Sequence, residues 1–242
     1  MVKEQLEQHK TQVLSAFKDI MHFKAMTQLA YNMGAEHSRL PAVSNRKLRL
    51  AHSMYASEVG MHDEEVKMSE LGDKFKLSET THFFSLIHQQ QVALFEHLFF
   101  DMVKIILVDR PERLPNKKKI DYAVIFESES KEEILNKLVE REINEIKYKN
   151  VKEWFDYLYE LAKIEKVSDA DICKIAEAKA SRDILVHNAG IVNSIYLTKS
   201  GDEARFSHGD TIDVGGNYTK DSWSLFIKVL VKTIDSLIEK LA

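Results

Sequence analysis

The feature that most constrains this chain is its shortage of backbone punctuation: 8 glycines and 3 prolines in 242 residues. Tight turns draw on both residue types, so their scarcity implies few chain reversals and long elements. The apolar residues repeat at helical spacing to match. The clearest case is the C-terminal run Trp223, Phe226, Ile227, Leu230, Ile234, Leu237, Ile238 and Leu241, which returns to one face every three or four residues. Leu6, Val13, Phe17, Ile20 and Met21, continued by Met26, Leu29 and Met33, predict a helix over 1–33 with Gly34 as its stop. From Glu79 to about Val108 apolar residues occupy more than one face, as in a deeply buried helix, and Pro111 and Pro115 break it.

The intervening segments are read from local signals. Pro41 ends any continuation of the first helix, and Ser44 is placed to cap a second carrying Leu48, Ala51, Met54, Tyr55 and Val59, with Gly60 after it. Residues 61–77 are charged and weakly patterned, and mark a boundary. Ile120 to Phe126 reads as a short strand or an extended loop, since a run this short does not settle its period. Ser130 and Glu133 spell a capping box before a charged helix to about Tyr148. Val151, Trp154, Phe155, Leu158, Leu161 and Ala162 define the next helix. Ser168 to Asp171 opens another, whose pattern runs through Ile172, Ile175, Ile184, Leu185, Ile191, Ile195 and Tyr196 with a bend near Gly190. Residues 199–219 hold Gly201, Gly209, Gly215 and Gly216 and read as loop. Phe99, Phe100, Trp154 and Trp223 read as core. The expected fold is all-α: an N-terminal helical region over 1–77, and over 78–242 an antiparallel bundle of four or five long helices.

Charge narrows the function classes. The formal net charge is −4, from 34 basic and 38 acidic residues. Any nucleic-acid site must therefore be a local patch or one built across a dimer interface. A single cysteine, Cys173, excludes an internal disulfide framework and suits a reducing compartment. The N-terminus is charged, and the apolar stretch from Phe95 to Val108 is interrupted by Glu96, His97, Asp101 and Lys104, so the reading is a cytoplasmic protein with no membrane span. The other histidines show no metal-ligand spacing, and no His-Glu-x-x-His, paired cysteines or phosphate loop is present, so no metal or cofactor is expected.

One segment carries chemistry. In Ala180 to Leu197, the polar residues Arg182, Asp183, His187, Asn188 and Asn193 interrupt a helix whose other positions are core-like. Histidine transfers protons near neutral pH, and an arginine fork stabilises negative charge on a phosphate. Together they meet what metal-independent RNA cleavage by 2′-hydroxyl attack requires. Asp183 precedes His187 by four residues and shares a helix face with it, where it would orient the imidazole or raise its pKa. Arg182 and His187 lie five residues apart, about 140° around a regular helix. Either the arginine wraps around, or the helix starts between them, or a second copy completes the site.

The order Arg182, Asp183, Ile184-Leu-Val186, His187, the continuation from Val186 to Leu197 and the amphipathic terminal helix resemble the HEPN superfamily over roughly residues 80–242. The resemblance implies an Arg-x4-His endoribonuclease of the all-α HEPN-like bundle type. It implies a homodimer, RNA as substrate, and a setting in bacterial stress response or phage defence, toxin-like, with an inhibitory antitoxin partner. Arg182, His187 and Asp183 would be catalytic. Asn188 and the basic run Lys117, Lys118 and Lys119 would contact RNA, although such a run is by itself an ordinary solvated loop. The competing expectation is a non-catalytic HEPN interaction module binding a nucleotide or a protein such as a nucleotidyltransferase, with His187 buried or paired. A plain structural helical protein ranks third.

Overall fold

The computed structural model describes residues 2–50, 64–115 and 122–241. The all-α expectation holds: helices account for most of the described chain, and its one sheet has two short strands. In order the elements are α1 (Val2–Ser38), β1 (Lys47–Leu50), β2 (Glu64–Lys67), α2 (Met68–Ser78), a π turn (Glu79–Phe83), α3 (Phe84–Asp109), a 3₁₀ turn (Pro111–Arg113), α4 (Tyr122–Phe126), α5 (Lys131–Lys147), α6 (Val151–Ala162), α7 (Asp169–His187), α8 (Ser194–Ser200), a 3₁₀ turn (Gly201–Glu203) and α9 (Gly216–Leu241). No helix among the described residues is long and apolar enough to cross a membrane. The chain divides into two compact units, Met1–Lys18 with His88–Ala242, and Asp19–Ile87.

The larger unit is a helical assembly around a main apolar core, with a smaller cluster beside it. Leu6, Val13 and Phe17 of α1, Phe95, Leu98, Phe99 and Met102 of α3, Val139 and Ile143 of α5, Trp154, Phe155 and Leu158 of α6, and Phe226, Leu230, Ile234 and Leu237 of α9 are buried in the main core. Phe99 packs against Phe95, Phe100, Trp154 and Phe155. α7 contributes Ile172, Ile175 and Ala178 to this core. Its later residues Ala180 and Ile184 belong to a smaller cluster with Val192, Tyr196 and Ile212. That second cluster seats the segment after α7 and so positions the candidate site.

Local capping explains several helix starts. Ser130 Oγ accepts from the Glu133 amide, but the Glu133 carboxylate accepts from the Glu129 amide and not from Ser130, so the reciprocal half of the expected box falls one residue early. α6 has the complete box: Asn150 Oδ1 accepts from Glu153 N–H and Glu153 accepts from Asn150 N–H, both at 3.0 Å. It ends at Lys163, a left-handed residue at φ 56°.

The smaller unit corrects the N-terminal reading. Gly34 does not stop α1. A Cβ there would lie 2.6 Å from Phe75 Cε2, so the glycine serves a close approach of α2. The helix expected after Ser44 is not formed over 47–50, which pair antiparallel with 64–67 in the register Lys47↔Lys67 and Leu48↔Val66. Ala51 to Gly60 lie outside the described residues. Polar–apolar alternation over four residues satisfies a strand as readily as a helix, and pairing decides. The charged stretch 61–77 contains β2 and α2, with Phe75 of α2 stacked on Tyr31. Of the run from Ile120 to Phe126, Tyr122–Phe126 is one helical turn and neither strand nor extended loop, and Ile120 and Asp121 lie outside the described residues.

Candidate functional site

α7 starts at Ser168, whose Oγ accepts from the Asp171 amide at 3.1 Å. It runs unbroken through both motif residues and ends on His187. A helix beginning between Arg182 and His187 is therefore excluded. So is the expected continuation to Tyr196 with a bend. The Asn188 amide donates to Ile184 O, and Ala189 and Gly190 follow at φ 50° and 78°. Two consecutive left-handed residues reverse the chain, and a helix does not pass through them. The chain then forms one bridge, Ile191↔Thr211, and α8 restarts at Asn193, whose Oδ1 accepts from Tyr196 N–H. The loop assigned to 199–219 spans a shorter interval, since α9 begins at Gly216.

Arg182 is half-buried and held on two sides. Its Nη2 donates to Glu96 Oε2 of α3 and its Nη1 to Asp183 Oδ1, both at 3.0 Å. Asp183 also takes Lys199 Nζ of α8 at 3.1 Å on Oδ2 and Lys179 Nζ at 3.4 Å on Oδ1. Lys179 lies 2.8 Å from Glu96 Oε1 as well. Among the described residues the Asp183 carboxylate is bonded to cations, with no bond to the His187 imidazole. The His187 side chain is exposed and has no hydrogen-bond or ion-pair partner among the described residues. Asn188 closes the helix end, its Nδ2 donating to Ile191 O. Lys117, Lys118 and Lys119 lie outside the described residues.

The structure thus gathers Arg182 and Asp183 and adds Glu96, Lys179 and Lys199, which the sequence reading did not single out. His187 stands apart, rotated by about 140° and displaced by about 7.5 Å along the same helix. Lys179 was accessible from spacing, being three and four residues before Arg182 and Asp183. Glu96 was not, because 86 residues separate it from Arg182.

A second polar cluster on α7 is buried. Glu177 accepts from Ser181 Oγ at 2.7 Å, Tyr196 OH at 2.8 Å and Arg205 Nε at 3.0 Å, all on Oε1, and from Tyr218 OH at 2.5 Å on Oε2. Arg205 also donates to Ser181 Oγ and to Asp213 O, and its guanidinium lies 3.5 Å from the Tyr218 ring centroid. Burial, with the Glu177 carboxylate second for Tyr218 and contributing for Tyr196, raises the pKa of both phenols, so they remain donors. Beside them His88 of α3 is fully buried, its Nε2 donating to Ala178 O at 2.9 Å. Burial lowers the His88 pKa to about 4, which leaves the imidazole neutral near pH 7.

This cluster ties the 201–215 loop to α7, α8 and α9. The same loop supplies the partners for the segment after His187: Ile212 N–H donates to Gly190 O at 2.8 Å and Val192 N–H to Asp210 O at 2.9 Å. A cleft of about 490 Å³ opens beside Arg205 and Tyr218, lined by residues of both charge signs, and includes neither Arg182 nor His187. Among the described residues no three His, Cys, Asp or Glu side chains group as a metal site. No family model matches the chain, and no curated protein or solved structure matches it.

Proposed function

We propose that this chain is a metal-independent endoribonuclease of the HEPN type, acting through Arg182 and His187. The observation that carries the reading is the contrast between these two side chains. Arg182 is oriented by two carboxylates, whereas His187 is exposed at a helix end with no partner among the described residues to hold its imidazole. A proton-transfer group must reach its substrate, which the exposed His187 can do and the buried, hydrogen-bonded His88 cannot. In the proposed reaction His187 takes the proton of a ribose 2′-hydroxyl. The oxygen attacks the adjacent phosphorus, the bond to the 5′-oxygen breaks, that oxygen takes a proton from water, and the hydroxide formed takes back the proton held by His187. Arg182 stabilises the charge on the non-bridging oxygens. The products are a 2′,3′-cyclic phosphate and a 5′-hydroxyl.

The divergence of the two side chains on one helix favours a site completed by a second copy. Val186, Ile191 and Ile195 are exposed apolar residues close in sequence to His187, as a covered surface would require. RNA as substrate, a homodimer and a toxin-like setting with an inhibitory partner are parts of this proposal. The alternative, a non-catalytic interaction module, is favoured by one observation: Arg182 already satisfies two carboxylates, as a purely structural ion pair would.

The deciding experiment incubates mixed cellular RNA, with EDTA, with wild type, Arg182→Ala and His187→Ala, each verified as folded by circular dichroism. The expected result is cleavage by the wild type leaving cyclic phosphate ends. Loss should be about 10²–10³-fold without the arginine and about 10²–10⁴-fold without the histidine. Equal cleavage by all three sinks the site assignment. No cleavage by any of them supports the interaction module.

A further inference from the structure

Arg182 is one of three cations that converge on a single carboxylate. Arg182 Nη1 and Lys199 Nζ lie 3.0 and 3.1 Å from different oxygens of Asp183, and Lys179 Nζ lies 3.4 Å from Oδ1. Glu96 bridges Lys179 and Arg182 from the α3 side, at 2.8 and 3.0 Å. Among the described residues, three cations against two carboxylates leave one positive charge over, in a chain whose net charge is −4. An ion pair that serves the fold alone needs one partner per charge. Lys179 also sits over the Trp154 ring, 5.6 Å from its centroid, so the added cation nearest solvent is Lys199, whose side chain is 44% exposed and whose pairing contributes little to the fold.

The donors are not used up. Lysine carries three N–H groups and arginine five. Among the described residues Lys199 spends one donor on Asp183, and Arg182 uses its two terminal nitrogens. Lys179 and Arg182 are both largely covered, at 18% and 20% exposure, so Lys199 is the arm nearest solvent. Neighbouring cations with N–H donors left over and a residual positive charge suit a tetrahedral phosphate, whose several oxygens accept from more than one donor.

We infer that Lys179, Arg182 and Lys199 form a phosphodiester seat, with Lys199 as its outer arm. Asp183 and Glu96 are positioning residues that set the spacing of the cations. The inference rests on the ribonuclease reading, and it adds Lys199 and Lys179 as substrate-binding residues. It also assigns Asp183 to the cations and not to the imidazole of His187.

The test uses the full chain and a 2′-O-methyl oligoribonucleotide, which lacks the attacking hydroxyl and so reports binding alone. Affinity is measured by fluorescence anisotropy over a series of KCl concentrations for wild type, Lys199→Ala, Lys199→Arg and the control Lys228→Ala. Lys228 pairs with Asp171, eight residues before Lys179 on α7. Cleavage of ordinary RNA is followed in parallel. For Lys199→Ala, binding should weaken roughly tenfold, and the slope of log affinity against log salt should be shallower by about 0.7. KM should rise with kcat kept. Lys199→Arg should restore the slope and Lys228→Ala should leave it alone.

If the wild type cleaves RNA and Lys199→Ala has the wild-type slope and KM, the seat is overturned and the nuclease reading survives. Binding whose salt slope depends on Lys199, without cleavage by the wild type, supports the seat and removes the nuclease. A fall in kcat alone places Lys199 in the chemistry and overturns its assignment to binding. Failure of the wild type to bind the oligonucleotide overturns the seat outright.

Discussion

Removing the Arg205 side chain tests whether the buried Glu177 cluster holds this part of the molecule together. Glu177 has four donors, and Arg205 is the one charged donor among them. Arg205→Ala deletes three hydrogen bonds and the guanidinium–Tyr218 contact, and leaves a carboxylate that is 5% exposed with three hydroxyl donors. Breaking a buried ion pair from one side costs about 3–5 kcal/mol. The arginine side chain is 28% exposed and the hydroxyls keep part of the solvation, so the expected loss is about 2–4 kcal/mol. In urea that is a midpoint shift of about 1 M at an ordinary slope. A cycle with Glu177→Gln should show coupling of at least about 1 kcal/mol. A shift under about 0.3 M with additive single mutants would refute the reasoning. A smaller change with the same origin should appear near His187, because the Arg205 loop supplies the backbone partners of Gly190 and Val192.

His88 makes stability depend on pH. Burial holds its folded pKa at about 4, below the ordinary histidine value of 6.5, so the unfolded state binds the proton first. Stability is therefore complete above about pH 6.5 and lost progressively as pH falls toward 4, by on the order of 3 kcal/mol. His88→Asn, which keeps an N–H donor, should flatten that part of a urea midpoint-versus-pH curve; an unchanged curve would assign the acid sensitivity to other groups. Asn150→Ala removes one half of the α6 capping box and should cost about 1 kcal/mol in thermal or urea unfolding, with Asn150→Asp near neutral. An alanine variant as stable as wild type would mean that water replaces the cap at no cost.

What the sequence determined by itself is whatever depends on neighbours within a turn or two. The repeat from Trp223 to Leu241 identifies the face that buries Phe226, Leu230, Ile234 and Leu237. Ser168 marks the start of α7 because its partner, the Asp171 amide, is three residues away. Arg182, Asp183 and His187 likewise fall on one helix, as their surroundings suggested. Tertiary structure decided what depends on distant residues. Gly34 reads as a stop until Phe75 arrives beside it, and residues 47–50 become a strand because 64–67 pair with them. The end of α7 at His187 is supported by Ile212 bonding to Gly190, which the apolar pattern running on to Tyr196 conceals. Periodicity reports which side of an element is apolar, but it carries no information on which distant charge meets which. Only the packing of α3 and α8 around α7 brings Glu96 and Lys199 to Arg182 and Asp183, and so sets the charge of the candidate site.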